Sequence, residues 1–154
     1  MDIKPRQLEI MEAAGQLMTE SGYAALTTKR LAERMGFSEP ALYRHFKSKE
    51  EILTTMLTHL AQSMDERLTA VSEQVSDPAE RVEAMFESHF SFFIENPHYL
   101  MAIFATGVLD QTPALERGIV ALMEVKRRHL IATIKDGQAK GVFKAAFPAE
   151  LLTL

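Results

Sequence analysis

Apolar residues along this chain recur with the period of α-helices. In the first segment they fall three and four positions apart, at Ile10, Ala13, Ala14 and Leu17, which places them on one helical face. Gly22 follows and predicts the end of this helix, because glycine adopts the left-handed conformation after a helix at no steric cost. Alternation of apolar and polar residues, which is typical of strands, is scarce, so the pattern favours helices along the whole chain.

Two short helices are predicted next, joined through a glycine. Thr27 or Thr28 can cap the first helix, and Gly36 ends it. Ser38 can cap the second, which runs to about Phe46. Two short helices joined by a tight turn are typical of the helix-turn-helix, in which the second helix enters the major groove of DNA.

Longer helices are predicted after this pair. Their starts carry a capping side chain or a proline, whose missing N–H is tolerated in the first turn of a helix. The starts are Ser48-Lys49-Glu50-Glu51, Asp77-Pro78, Asn96-Pro97, Thr112-Pro113 and Phe147-Pro148-Ala149-Glu150. The apolar helix after Asn96-Pro97 is predicted to reach about Leu109, and the next to end near Gly141. We therefore predict an all-α fold with a three-helix domain over residues 1–49 and a helical bundle over 50–154.

The distribution of charge changes the interpretation of the overall composition. A net charge of −4 over 154 residues, taken alone, argues against a nucleic-acid partner. Between Lys29 and Lys49, however, six basic residues stand against two acidic ones, a local charge of +4 in 21 residues. From Glu51 onward, nine Lys and Arg stand against fourteen Asp and Glu, a charge of −5. This asymmetry predicts a basic DNA-reading segment on an acidic body.

The exposed side of the predicted helix pair is rich in hydrogen-bond donors that suit phosphate oxygens. The donors are the hydroxyls of Thr27, Thr28, Ser38 and Tyr43 and the cations of Lys29, Arg44, Lys47 and Lys49. The runs 27–32 and 41–50, with Gly36 between them, resemble the DNA-binding domain of TetR-family transcriptional regulators. The resemblance covers about Arg6 to Leu57, and its most specific part is Leu42-Tyr43-Arg44-His45-Phe46-Lys47-Ser48-Lys49.

The resemblance implies DNA contacts for individual residues. Phosphate contacts are implied for Thr28, Tyr43, His45 and Lys49, and Lys29 is added from its charge. The residues implied to face bases or the groove wall are Ser38, Glu39, Pro40, Ala41 and Arg44. Glu39 would repel phosphate, so it either accepts a hydrogen bond from cytosine N4 or stabilises the N-terminus of its helix, and we favour the second.

In the later helices, the resemblance implies a pocket whose ligand shifts the protein between DNA-competent and DNA-incompetent states. The candidate lining residues are Met85, Phe86, His89, Phe90, Phe93, Met101, Phe104, Leu122, Met123 and Lys126. Five phenylalanines between Phe86 and Phe104 favour an apolar or aromatic effector. Such a stripe is more often plain core, and His89, the best polar candidate, is more often a core histidine bonded to a neighbour.

Several kinds of function are disfavoured by what the sequence lacks. The absence of cysteine excludes disulfides and thiolate metal sites. The five histidines lack metal-binding spacing, and phosphate-loop, dinucleotide-binding and nucleophile-elbow motifs are missing. We therefore expect no metal, no cofactor and no enzymatic activity. No apolar run approaches the roughly 18 residues of a membrane span, and no secretory signal is visible, so we expect a cytoplasmic protein without a membrane partner.

Together these patterns predict a DNA-binding transcriptional regulator. The resemblance implies a repressor that binds a pseudo-palindromic operator in double-stranded DNA as a homodimer and is released by a small-molecule effector. Residues 151–154 begin an apolar helix, and the family continues for two dimerisation helices, so we expect the C-terminal helices to be incomplete. The alternatives are a nucleoid-associated or architectural DNA-binding protein whose body binds another protein, and a helical scaffold with a vestigial helix-turn-helix.

Overall fold

The computed structural model of the protein describes residues 3–105 and 112–153, and within these residues every regular element is helical. The seven α-helices of the described residues are α1 (Pro5–Ser21), α2 (Thr28–Met35), α3 (Glu39–Tyr43), α4 (Lys49–Gln74), α5 (Pro78–Glu95), α6 (His98–Phe104) and α7 (Pro113–Ala139). Single 3₁₀ turns occupy Tyr23–Ala25 and Ala149–Thr153. The predicted all-α fold is confirmed. None of the described helices is long and apolar enough to cross a membrane.

Helix α1 buries the face that its apolar spacing predicts. Ile10, Ala14 and Leu17 are at most 5% exposed. Gly22 ends the helix with φ 78° and ψ 167°. The positive φ requires glycine, as predicted, but ψ lies far from the value of about 47° of the left-handed helical conformation. The backbone after α1 therefore continues from Gly22 with an extended ψ and does not form a left-handed helical turn.

The turn between α2 and α3 forms largely as its capping residues predict. The N–H of Arg30 donates to Thr27 Oγ1 at 3.2 Å, so Thr27 is the cap of α2. Gly36 ends α2 in the left-handed conformation, with φ 67° and ψ 27°. Ser38 lies at the cap position of α3 in extended conformation, but its side chain makes no capping hydrogen bond.

Helix α3 is shorter than predicted. It ends at Tyr43, and the N–H of His45 bonds to the carbonyl of Leu42 at 2.9 Å in a tighter turn. The reason lies in packing, because this turn carries Phe46 into the core, where it is 1% exposed. The carbonyl of His45 accepts from Gln7 Nε2 at 3.3 Å, which joins the turn to α1.

Helix α4 starts at a variant of the predicted capping box. Ser48 Oγ accepts from the N–H of Glu51 at 3.1 Å, and the Glu51 carboxylate accepts from the N–H of Lys47 at 2.5 Å. Apolar residues recur along α4 with helical spacing, and this stripe is buried at Leu53, Met56, Leu57, Leu60, Met64 and Leu68 and partly exposed at Val71. The stripe therefore supplies the central part of the core.

Contacts divide the described residues into two compact units. The first unit comprises residues 3–60, 96–105 and 112–120, and the second comprises residues 61–95 and 121–153. Both α4 and α7 contribute residues to each unit. The functional boundary that we predict after Lys49 is a different division and stays a prediction.

Within the first unit, α6 packs directly on α1. A Cβ at Gly15 would lie 2.3 Å from Cβ of His98, so only glycine permits this approach. Tyr99 is 6% exposed, and burial together with the charge of Glu12 raises its pKa to about 12. The predicted helix after Asn96-Pro97 is described as far as Phe104, and residues 106–109 lie outside the described residues.

The second unit is joined by polar contacts between its helices. Asp77 Oδ1 caps α5 by accepting from the N–H groups of Ala79 and Glu80 at 2.9 and 3.0 Å. Arg81 of α5 pairs with Asp136 of α7 at 3.1 Å. The predicted helix start near Pro148 is a 3₁₀ turn over Ala149–Thr153.

Candidate nucleic-acid interface

A small apolar core holds α2 and α3 at a fixed mutual position. Leu31, Ala32, Leu42 and Phe46 are each at most 1% exposed. Met35, the last residue of α2, is only half-buried. Because these side chains point inward, the remaining positions of α2 and α3 are exposed or half-buried.

Besides Arg34, the segment 28–49 has four exposed basic residues: Lys29, Arg30, Arg44 and Lys47. Within residues 3–105 and 112–153, these four make no ion pair with a carboxylate. Uncompensated positive charge on one surface attracts the phosphate backbone of nucleic acid. The surface formed by these four side chains and α3 is called the basic surface below.

Arg34 differs from the other basic residues of the segment. Its guanidinium donates two hydrogen bonds of 2.7 Å to the carboxylate of Glu20 on α1. This contact holds the pKa of Glu20 below its ordinary value. Arg34 therefore braces α2 against α1, and its charge is already compensated. The local charge of +4 counted from the sequence therefore overstates the positive charge that this segment has available for a ligand.

The predicted contact residues Thr28, Glu39 and Tyr43 form one hydrogen-bonded cluster. Thr28 Oγ1 lies 3.4 Å from Glu39 Oε2 and 3.3 Å from the Tyr43 hydroxyl. Thr28 has one hydroxyl hydrogen, so if it donates to the carboxylate, the Tyr43 hydroxyl donates to Thr28. The cluster ties the first turn of α2 to α3 and anchors the carboxylate of Glu39.

Lys49 and His45 contact aromatic rings at the edge of the segment. The ammonium of Lys49 lies 3.8 Å from the ring centroid of Tyr23. The His45 ring stacks on Phe37 at 6.5 Å, and the guanidinium of Arg6 lies 5.1 Å from that same Phe37 ring. These contacts orient both predicted phosphate ligands before any nucleic acid is present.

The remaining predicted contact residues lie on the outward side of α3. Ser38 and Pro40 are exposed, and Ala41 is half-buried, while Leu42 points inward. All ten predicted residues thus belong to the segment 28–49 of the first unit. Their contacts with DNA stay predictions.

Sequence reasoning missed the residues that support this segment from α1 and the following turn. Arg6, Gln7, Glu20 and Tyr23 contact Phe37, the carbonyl of His45, Arg34 and Lys49 respectively. Their partners lie 14 to 38 residues away in the sequence, and no local pattern marks such pairs.

Four of the predicted pocket residues line one cavity in the second unit. Met85, Phe86, His89 and Lys126 surround it together with Leu68 and Leu130, which were not predicted as lining. Its volume is about 20 Å³, little more than the roughly 10–15 Å³ that one water molecule requires. An effector would therefore need this cavity to open.

The other six predicted pocket residues are dispersed. Phe90 and Met123 are 62% and 56% exposed, and Leu122 is buried but does not line the cavity. Phe93 packs edge-on against His89, with ring centroids 4.8 Å apart. Met101 and Phe104 belong to the first unit, where Phe104 is 55% exposed.

His89 lies in an electropositive and partly apolar environment. Burial lowers its pKa, and the charges of Lys126 and Arg67 lower it further. The part of the chain that the structure describes offers no hydrogen-bond partner to its ring, which packs against Phe90 and Phe93. The alternative of a core histidine bonded to a neighbour therefore receives no support from these contacts.

Comparison with known proteins places the segment in a wider context. The family described as "Bacterial regulatory proteins, tetR family" matches residues 10–56, which contain most of α1, all of α2 and α3, and the start of α4. The crystal structure of the TetR family transcriptional regulator PfmR from Thermus thermophilus superposes with a TM-score of 0.77. It is 31% identical, and the match covers 91% of this chain and 76% of that one.

Two curated relatives are both described as nucleoid occlusion factor SlmA. The protein from Marinomonas sp. (strain MWYL1) is 27% identical over 135 residues, which cover 88% of this chain and 68% of that protein. The protein from Aliivibrio fischeri (strain MJ11) is 32% identical over 93 residues, which cover 60% of this chain and 47% of that protein.

Proposed function

This chain belongs to the TetR family of DNA-binding transcriptional regulators, and we propose that it is a repressor whose DNA binding is released by a small-molecule ligand. In this proposal it acts in the cytoplasm, without enzymatic activity, as a homodimer on a pseudo-palindromic operator. The observation that carries the proposal is the basic surface, in which uncompensated cations adjoin a helix that is packed on one side and exposed on the other.

Contacts with the DNA backbone are proposed for Thr28, Lys29, Tyr43, His45 and Lys49. Lysine ammonium groups and the hydroxyls of threonine and tyrosine are among the donors that bind phosphate oxygens and so fix the position of a protein on the duplex. The Thr28–Tyr43 hydrogen bond and the Lys49–Tyr23 contact support this assignment, since they hold the donors in place.

Sequence readout is proposed for the outward positions of α3. These positions are Ser38, Glu39, Pro40, Ala41 and Arg44. Arg44 is the strongest candidate among them, because an exposed guanidinium can donate two hydrogen bonds to guanine O6 and N7.

A gel-shift titration of the intact chain against genomic fragments, repeated over a salt series, tests the proposal. We expect a small number of fragments to bind more tightly than the rest. Lys29→Ala should weaken binding to all fragments alike and lower the slope of log K against log salt by about one, since one phosphate contact is lost. Lys135→Ala is the matched control, because Lys135 is paired with Glu150 in the second unit.

Two results of that titration count against the proposal. Equal binding to every fragment would remove specific operator recognition. If Lys29→Ala left the salt slope unchanged, Lys29 would not contact phosphate, but the proposal of operator binding would stand.

A second candidate function is an architectural role on the nucleoid, with the body binding another protein. The observation that favours it is the 27% and 32% identity to two proteins described as nucleoid occlusion factors. It predicts many binding sites across a genome and no release by a small molecule. Mapping of bound genomic sites, with and without candidate ligands, separates the two functions.

A further inference from the structure

The small cavity of the second unit is lined by two basic side chains and has a third nearby, and the three are called the basic cluster. His89 of α5 and Lys126 of α7 line the cavity, and Arg67 of α4 lies near enough for its charge to act on His89. Lys126 also lies 5.9 Å from the centroid of the Phe86 ring. Within the described residues, neither Arg67 nor Lys126 makes an ion pair with a carboxylate. Lys126 and Arg67 therefore bring positive charge to this region without an ion-pair partner among these residues, and Glu66 is a carboxylate whose charge acts on Arg67 from a distance.

Arg67 adds a specific unsatisfied donor to this cluster. Its guanidinium stacks 3.9 Å above the Phe92 ring and donates to Ser63 Oγ, but its buried Nε–H has no hydrogen-bond acceptor among the described residues. Burial lowers the pKa of this guanidinium. Native proteins leave few buried donors without a partner, so this N–H group needs an explanation. One explanation is that it donates to a bound ligand.

Apolar space of suitable size adjoins the cluster. A groove of about 560 Å³ lies between α5, α7 and the C-terminal segment 142–152. Phe86 and Leu130 line both this groove and the small cavity, so the two spaces share a wall. Phe86 is 40% exposed, and a ligand that spans both spaces would require its side chain to rotate. The groove volume falls in the range of pockets that hold small molecules, about 300–1,000 Å³.

We propose that the second unit binds an amphipathic anion, with its apolar chain in the groove and its anionic group at Lys126. Arg67 contributes positive potential at the same end, and His89, whose lowered pKa keeps its ring neutral, contributes one N–H donor. This inference rests on the ligand-responsive function proposed above and changes the expected effector class. A neutral apolar ligand would fill the groove but leave the clustered charges uncompensated, whereas an anion satisfies both.

Calorimetric titration of the intact chain, without DNA, with ten-carbon ligands that differ only in the end group tests the proposal. Decanoate should bind at least about tenfold more tightly than decanol, because its carboxylate gains charge-assisted hydrogen bonds. Decylamine should bind more weakly than decanol. Decyl phosphate tests whether the site accepts anions generally or favours carboxylates.

Three lysine variants locate the anionic group. Lys126→Gln should abolish the preference for decanoate over decanol while retaining decanol binding, which shows that the site is still folded. Lys140→Gln, at the position directly after α7, paired with Asp136 and in the lining of neither space, is the matched control and should leave the preference intact. Lys144→Gln tests the other lysine, which lines the groove itself.

The proposal is overturned if decanol binds as tightly as decanoate, if none of the ligands binds, or if Lys144→Gln and not Lys126→Gln removes the preference. Operator binding is measured separately by gel shift, which needs no ligand. Specific DNA binding without decanoate binding would therefore reject the ligand class alone, whereas decanoate binding without any DNA binding would reject the regulatory function.

Discussion

At the scale of single residues, the basic surface contains one negative charge in an unexpected place. Glu39 opens the helix that we propose enters the groove, and its carboxylate is anchored by Thr28 at 3.4 Å. An anchored carboxylate is less available to accept from a base edge. The geometry thus supports the interpretation that Glu39 stabilises α3 and its link to α2.

We expect Glu39→Gln to increase affinity for operator and unrelated DNA alike, by about two- to fivefold, because it removes a charge that repels phosphate. Fluorescence anisotropy with an operator duplex and a scrambled duplex measures both affinities. Glu33→Gln, which also removes an exposed acidic charge near α3, is the control and should have a smaller effect. A loss of affinity confined to the operator would show instead that Glu39 accepts from a base.

At the scale of elements, the contact between α1 and α6 depends on one missing side chain. Gly15 lies in the middle of α1, where glycine costs about 0.5–1 kcal/mol relative to alanine. The helix tolerates this cost because a Cβ at this position would lie 2.3 Å from Cβ of His98, well inside contact distance. Close helix packing therefore outweighs helix propensity here.

Gly15→Ala should lower the free energy of unfolding by about 1–2 kcal/mol, since overpacking outweighs the gain in helix propensity. Urea denaturation followed by circular dichroism measures the change. Gly15→Ser should cost more, because its side chain is larger. Gln16→Ala, at the next and exposed position, should stay within about 0.5 kcal/mol. If Gly15→Ala stabilised the protein, the approach of α6 to α1 would be looser than described.

At the scale of the whole molecule, the proposed repressor must couple two sites. The basic surface belongs to the first unit, and the proposed anion site belongs to the second. Helices α4 and α7 contribute residues to both units, so they are the elements through which a change in one unit can affect the other. Coupling of two binding equilibria is reciprocal, whatever structural change carries it.

We expect saturating decanoate to weaken operator binding, and saturating operator to weaken decanoate binding by the same factor, about 5- to 150-fold for typical coupling. Anisotropy measures the first factor and calorimetry on the preformed complex measures the second. Lys126→Gln should reduce both factors together. Operator affinity that decanoate leaves unchanged, despite direct binding of decanoate, would favour the architectural role on the nucleoid.

The sequence by itself determined most of the helices and several of their ends. Thr27, Gly36, Ser48 and Asp77 act as caps or stops through groups within a few residues of one another. Such interactions are local, so the sequence pattern contains all of their partners. The family motif of the segment 27–50 is predictable for the same reason. Apolar residues of the small core and hydrogen-bond donors follow one another with helical spacing along two short helices.

Only the tertiary structure decided which charged side chains are free of ion pairs and which polar side chains form hydrogen bonds with each other. Arg34 is neutralised by Glu20, 14 residues earlier, and Thr28 meets Tyr43, 15 residues later. The end of α3 at Tyr43 follows from the burial of Phe46, which no capping signal marks. Arg67, His89 and Lys126 lie on three different helices and meet only through packing, because spatial proximity between distant segments leaves no periodic trace in the sequence.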